Sequence, residues 1–315
     1  MSDSPFCFAQ SKIDGNGSLP AAWKFLNLKE VLETPTIKEA PWRIRNLVAQ
    51  GCGTLISAHP HGMKSFTWLQ AAIDAPMGNQ VWGHFPVTGV KKTLYIETED
   101  PEWLLRQRIQ QLARGMSIKA SDVKDIGCFT LGVTGPFDIV KTGDKLKQAI
   151  ETYQPDFTVL STLQGLLGGR SWKEQDEMAA VNALMVDISA HWSPLTVITH
   201  SPWDKKSKRA AGTITQTANF QTSCHYQKYT SREGTKVSID VDSKIGADAE
   251  ESNFKLRLVS DLKLDAIKFR YEIAHTRDEI ISHIKAHPNE PTADLAAAFD
   301  ISDRHARRLR KDVFQ

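Results

Sequence analysis

A chain of 315 residues, 41% of them hydrophobic, is long enough to bury a full core and to hold one large domain beside a small one. Its formal net charge of +2 excludes a polycation, so any nucleic-acid surface must be a local patch. Four scattered cysteines (Cys7, Cys52, Cys128, Cys224) form no C-x-x-C pair, which argues against a zinc site or a disulfide scaffold and for a reducing cytoplasm.

Residues 1–20 are polar, carry Asp14-Gly15-Asn16-Gly17-Ser18 and read as a loose arm without the basic and apolar regions of a secretory leader. No apolar run approaches the roughly 18 residues that a membrane span needs. Residues 21–50 form a lead-in segment with Trp23 and Trp42, expected to rest on the domain that follows. A strand is then predicted over Gly53–Ser57 and a helix from about Lys64 to Ala75, with Phe66, Leu69, Ala72 and Ile73 at helical spacing on one face.

Between that strand and helix lies Ala58-His59-Pro60-His61-Gly62-Met63-Lys64-Ser65, almost a phosphate-binding G-x-x-x-x-G-K-[ST] loop. In such a loop glycines let backbone N–H groups wrap the phosphates, the Lys reaches the β- and γ-phosphates, and the hydroxyl ligates Mg²⁺. Here Ala58 and Met63 occupy the two glycine positions and a glycine is displaced to 62, while the Lys-Ser pair and its strand-loop-helix context survive.

A second strand, Lys92–Glu97, ends in Thr98-Glu99-Asp100-Pro101 and leads into a helix over Glu102–Arg114. A helical stretch over 144–153 precedes a third strand at Phe157–Leu160, and a helix over 174–191 precedes a fourth at Leu195–Thr199, which ends at His200. Continuously apolar strands alternating with helices imply an α/β fold with a parallel sheet covered on both faces. Ligands of such sheets sit beyond the carboxyl ends of the strands, where the loop, Glu99, Ser161 and His200 all fall.

After the basic run Lys205, Lys206, Lys208 and Arg209 the pattern becomes β-rich, with antiparallel strands predicted at 223–229, 235–241 and 254–260 around an acidic loop at 242–252. Residues 263–275 read as a linker. The last forty residues give three helices: Asp278–Ala286 with Ile280, Ile281 and Ile284 on one face, Thr292–Phe299 behind a Thr292 cap, and a basic helix from Asp303. Leu295, Ala296, Phe299, Ile301, Ala306 and Leu309 would make its small core.

With these positions in hand, residues 20–260 resemble the RecA-like ATPases of the RepA/DnaB hexameric-helicase type, most closely the RepA-like branch of plasmids and phages. Ala58-His59-Pro60 is similar to the A-x-P start of many DnaB-like loops. Leu94-Tyr95-Ile96-Glu97-Thr98-Glu99-Asp100-Pro101 resembles the segment whose acidic residue activates the attacking water, which puts Glu99 in that role. Leu163–Gly169 looks like the segment after the family's Walker B strand, and Val197–Ser201 like the strand whose polar residue, here His200, senses the γ-phosphate. Arg209 falls near a turn close to which ring ATPases place residues that reach a neighbour's nucleotide.

The segment from Pro291 to Arg310 is separately similar to helix-turn-helix and winged-helix domains, which implies a DNA-binding domain at 276–315. The resemblance of residues 20–260 implies a RecA-like fold with a mainly parallel sheet extended by antiparallel strands, spanning residues 21–262. It further implies ATP and Mg²⁺ as cofactors, Ser65 as Mg²⁺ ligand, and Lys64, Glu99, His200 and Arg209 as catalytic groups. DNA, a hexameric ring of like subunits and other proteins of the replication or mobile-element machinery would be the partners. DNA contacts would come from Lys205, Lys206 and Lys208, and from Ser302, Arg304, His305, Arg307, Arg308, Arg310 and Lys311, since the recognition helix of such a motif enters the major groove.

Two departures from the family pattern weigh against turnover. Ser161 stands where the Walker B strand ends in Asp and supplies no negative charge for the metal shell. Met63 adds a side chain beside the phosphates. A second reading therefore stands beside the weak ATPase: a non-hydrolysing DNA-binding scaffold or adaptor that keeps the fold. Blander readings also stand for single residues. Lys64 and Ser65 can be the first turn of an ordinary helix, Glu99 a carboxylate favoured by a helix start, His200 a core histidine, and the C-terminal arginines a solvated face of a docking module. His59 and His61 are not a metal site without further ligands.

Overall fold

The computed structural model of the chain describes residues 28–35, 39–123, 126–130, 138–171, 174–200, 218–231, 234–246, 253–273, 277–299, 301 and 303–314. By internal contacts the chain divides into Met1–Glu39 and Ala40–Gln315. Among its described residues the first unit contains one short helix, α1 (Leu28–Glu33). The second begins with two small paired strands, β1 (Trp42–Ile44) and β2 (Val48–Ala49).

The elements that follow are β3 (Gly53–Ala58), α2 (Lys64–Asp74), β4 (Thr93–Glu97), α3 (Glu102–Gly115), β5 (Ile126–Thr130), α4 (Ile139–Tyr153), β6 (Phe157–Ser161), α5 (Gln175–His191) and β7 (Leu195–His200). Four longer strands come next: β8 (Thr222–Ser231), β9 (Gly234–Ser243), β10 (Asn253–Asp261) and β11 (Ala266–Ile273). They join one sheet in the order β11-β10-β9-β8-β3-β7-β6-β4-β5. From β8 to β5 every pairing is parallel, and from β8 outward to β11 every pairing is antiparallel. This is a RecA-like α/β fold, and the strand carrying the near-phosphate loop lies in its middle.

Alternation along the parallel strands sorts their side chains onto two faces. Ile56, Ala58, Tyr95, Phe157, Val159 and Ile198 pack with α2 and with Leu105 and Leu112 of α3. Leu55, Leu94, Ile96, Leu160, Leu195 and Val197 pack on the opposite side with α4 and α5. Helix α4 starts five residues earlier than the sequence pattern indicates, because the Asp138 carboxylate accepts from Val140 N–H and Lys141 N–H and caps it.

Two strands of the large sheet escape the sequence reading, as do the short β1 and β2. β5 is an edge strand beside β4. β11 occupies most of the stretch predicted as a linker, 263–275, so that expectation is corrected. β11 pairs along its full length with β10 and is clamped to α2: the buried Gln70 amide donates to Phe269 C=O (3.0 Å) and accepts from Phe269 N–H (2.6 Å). Trp68, Trp82, Phe85, Phe254 and Tyr271 pack ring against ring, linking α2 to β10 and β11.

The last three helices are α6 (Arg277–Ala286), α7 (Thr292–Ala298) and α8 (Asp303–Phe314). Ile280, Ile284, Leu295, Ala296, Phe299, Ala306 and Leu309 form a core of their own, with Ile301 and Val313 against it. No helix among the described residues is long and apolar enough to cross a membrane.

Candidate functional site

The loop after β3 takes its shape from backbone that glycine normally supplies. His61 (φ 61°) and Met63 (φ 67°) are both left-handed, a conformation that costs a non-glycine residue about 1–2 kcal/mol. Between them Gly62 runs so close to the end of β3 that a Cβ there would lie 2.7 Å from Ala58 Cβ and 2.9 Å from His59 O. Gly62 thus serves close approach, while Met63 carries the twist and packs its side chain against the core. His59 is half-buried, and Pro60 and His61 are exposed.

Lys64 opens α2 and is 4% exposed. Its ammonium donates to Ala58 O and His59 O, both at 3.3 Å, and lies 3.3 Å from His200 Nδ1. Burial lowers its pKa to about 8, with the Glu99 charge pulling the other way. A buried amine held by long hydrogen bonds to carbonyls is a poorly satisfied charge, and a polyanion at the loop would satisfy it.

His200 ends β7 and faces both Lys64 and Glu99, with Nε2 3.8 Å from the Glu99 carboxylate. The ring thus bridges the two groups, with Nδ1 on the ammonium side and Nε2 on the carboxylate side. Glu99 also accepts a hydrogen bond from the Thr162 hydroxyl. Burial pushes the Glu99 carboxyl upward, but the groups of His200 and Thr162 and the charge of Lys64 outweigh it, so it lies below the ordinary glutamate value. A partly exposed carboxylate whose ionised form is favoured, beside the loop, is suited to orienting a water. One step further back, Gln164 Nε2 donates to Thr199 Oγ1 at 2.9 Å and ties β7 to the segment after β6.

Ser161, at the end of β6, is buried and donates to Ser65 Oγ at 2.9 Å. The hydroxyl predicted to ligate Mg²⁺ therefore faces another hydroxyl and no Asp. Sequence reasoning missed the carboxylate next door. Glu97 ends β4 directly opposite Ser161 and is 1% exposed. Its Oε1 accepts from the backbone N–H groups of Thr98, Glu99 and Asp100, while its Oε2 is buried without a hydrogen-bond partner. Burial raises its pKa to about 7 and the Asp100 charge adds to the rise, against the three N–H groups. The strand period was the available signal, since Glu97 lies two residues after Tyr95, whose hydroxyl donates to Ser65 O at 3.0 Å.

These strand-end groups (Lys64, Ser65, Glu97, Glu99, Ser161, His200) converge at the carboxyl edge of the parallel strands, and residues 20–206 match the family model described as AAA domain. The chain belongs to that AAA family. Its loop is thus a P-loop with two left-handed non-glycine residues. Among solved structures this AAA protein is similar to a KaiC-like protein from the hyperthermophilic archaeon Pyrococcus horikoshii OT3, at 8% identity and a TM-score of 0.49, over 70% of this chain and 90% of that one. No curated protein matches it.

The remaining predicted residues divide into three groups. Lys205, Lys206, Lys208, Arg209 and Ser302 lie outside the described residues. On α8, Arg304, Arg307, Arg308 and Lys311 are exposed and His305 is half-buried. Arg310 instead donates to Glu290 C=O and serves the junction of the three helices. Among the described residues no three His, Cys, Asp or Glu side chains group as a metal cluster.

Proposed function

We propose that this AAA protein binds Mg·ATP at the P-loop and works as a cytoplasmic RecA-like ring on DNA, in the replication or mobility of a plasmid, phage or transposable element, as a helicase or helicase loader. The reading rests on one observation: the run Lys64–His200–Glu99–Thr162 at the carboxyl edge of the sheet, beside a loop whose backbone is already bent around Gly62. Lys64 would hold the β/γ-phosphates, Ser65 the Mg²⁺ that neutralises them, Glu99 the attacking water and His200 the γ-phosphate. A neighbour's Arg209 would stabilise the transferred charge across a subunit boundary.

DNA would be held by the exposed arginines of α8 and by Lys205, Lys206 and Lys208. The C-terminal helices would act as a helix-turn-helix whose contacts are mainly to phosphate, so binding should weaken steeply with salt. Removing residues 276–315 is expected to lower DNA affinity and flatten its salt dependence. Unchanged affinity and slope would refute that role.

A non-hydrolysing scaffold is the second reading, favoured by the Ser65–Ser161 hydroxyl pair in place of a hydroxyl–carboxylate pair. Steady-state ATP hydrolysis of wild type and Lys64→Ala, with and without DNA, separates the two. The enzyme reading expects the variant to lose about 100-fold or more of the wild-type rate. Equal rates, with no stimulation by DNA, would leave the scaffold.

A further inference from the structure

We infer that Glu97 supplies the carboxylate that Ser161 does not, so that the divalent cation of this nucleotide site is held between Ser65, Ser161 and Glu97. The inference rests on the P-loop reading above. The strand order puts β4 next to β6, and Glu97 stands opposite Ser161 in parallel register. Directly opposed residues of parallel strands project to the same face, about 4.8 Å apart. That face is the one carrying α2, because Tyr95 and Val159, each two residues earlier, pack there and Ser161 itself donates to Ser65.

The chemistry of Glu97 is hard to explain as structure alone. Capping the turn at residues 98–100 occupies only Oε1. Oε2 is left buried without a hydrogen-bond partner, on a side chain 1% exposed. An orphan carboxylate oxygen in such a place is costly unless a proton or a cation satisfies it. A glutamine would cap the same turn through its carbonyl oxygen without the buried charge. The carboxylate thus lies one strand across from the position the family pattern gives it, at the end of β4 instead of β6, beside the hydroxyls of Ser65 and Ser161. Oxygen donors of this type, a carboxylate and hydroxyls beside phosphate oxygens, suit Mg²⁺ or Mn²⁺.

The test uses the full chain, fluorescent ADP and Mn²⁺. Nucleotide affinity is measured in EDTA, and Mn²⁺ affinity in the ADP complex by electron paramagnetic resonance. Glu97→Gln should bind ADP in EDTA at least as tightly as wild type, since it takes a negative charge from beside the phosphates, and weaken Mn²⁺ by about 10–100-fold. Adding Ser161→Asp to that variant should restore the metal. Ser161→Asp alone sets two carboxylates face to face, so its midpoint of thermal unfolding should fall in EDTA and recover with Mn²⁺. That measurement stands even where Glu97→Gln fails to fold. Wild-type Mn²⁺ affinity in Glu97→Gln, or no recovery of Ser161→Asp by Mn²⁺, would overturn the proposal and leave a proton on Oε2. Absence of ADP binding to wild type in EDTA and in Mn²⁺ alike would instead defeat the P-loop reading beneath it.

Discussion

Replacing Lys64 by Met should make the nucleotide-free protein more stable. The wild-type amine is 4% exposed and its pKa falls from 10.5 to about 8, a gap of about 2.5 pH units. At ~1.4 kcal/mol per unit the fold gives up about 3 kcal/mol to keep this charge buried at pH 7. Methionine has nearly the same length and carries no charge. It loses the hydrogen bonds to Ala58 O and His59 O, both long at 3.3 Å, which subtracts about 1 kcal/mol. A net gain of about 2 kcal/mol remains. The pH dependence carries a definite sign. Between about 8 and 10.5 the unfolded amine holds a proton that the folded one has shed, so wild-type stability rises with pH across that window. The advantage of the variant should therefore be constant below pH 8, reach zero near about pH 9.5 and become a deficit of about 1 kcal/mol by about 10.5. Urea unfolding of both proteins, without nucleotide, at pH 7 and at pH 10 measures it. With ADP at about 100 times its Kd the order should reverse, because wild type alone gains about 2.7 kcal/mol from binding. A variant less stable than wild type at pH 7, or an advantage that does not shrink between pH 8 and 10.5, would refute the account of Lys64 as a strained, ligand-seeking charge.

Gly62→Ala should cost about 1–3 kcal/mol and most of the ADP affinity, read by calorimetry, because its Cβ would lie 2.7 Å from Ala58 Cβ. Burial raises Asp74 from 3.8 to about 6, against hydrogen bonds from Trp82 N–H, Gln70 and Asn79. Its stabilising contribution is complete below pH 3.8 and lost as pH rises through about 6. Acidification from pH 7 to 4 should thus stabilise wild type relative to Asp74→Asn by about 3 kcal/mol in urea titrations. A chain ending at Leu262 lacks β11, loses both hydrogen bonds between Gln70 and Phe269 and exposes the β10 edge of the sheet. It should fail to give a cooperative unfolding transition by circular dichroism, whereas a chain ending at residue 276 should give one.

How much of this was legible depended on whether a residue's role is fixed by its own segment or by its neighbours in space. β3, β4, β6 and β7 are nearly continuous apolar runs buried on both faces, so composition alone exposes them. β5, Ile126-Gly127-Cys128-Phe129-Thr130, has a glycine within and sits at the edge, and its sequence gives no comparable run. β11 did carry a signal: Ile267-Lys268-Phe269-Arg270-Tyr271-Glu272 alternates with period two, as a half-covered strand should. Its charges made it resemble a linker, and only the Gln70 clamp from almost two hundred residues away explains why it belongs to the core. In the C-terminal helices the apolar spacing was enough to identify the core, but not that Arg310 turns inward to Glu290.

At the site the same distinction separates Glu99 from Glu97. Along the chain they are two acidic residues two apart, and the resemblance to ring ATPases assigns only the second. Glu97 is the last residue of a buried strand, held by the sheet; Glu99 stands beyond it in the turn, partly exposed and free to meet solvent and substrate. A water-orienting carboxylate needs access and ionisation, which His200, Thr162 and Lys64 give to Glu99. A metal-holding carboxylate needs a fixed position beside the loop hydroxyl, which register with Ser161 gives to Glu97. Ser161 alone looks like a lost function. Opposite a buried glutamate with one unsatisfied oxygen, it reads as half of an exchange between neighbouring strands, and no inspection of either strand by itself can reveal that.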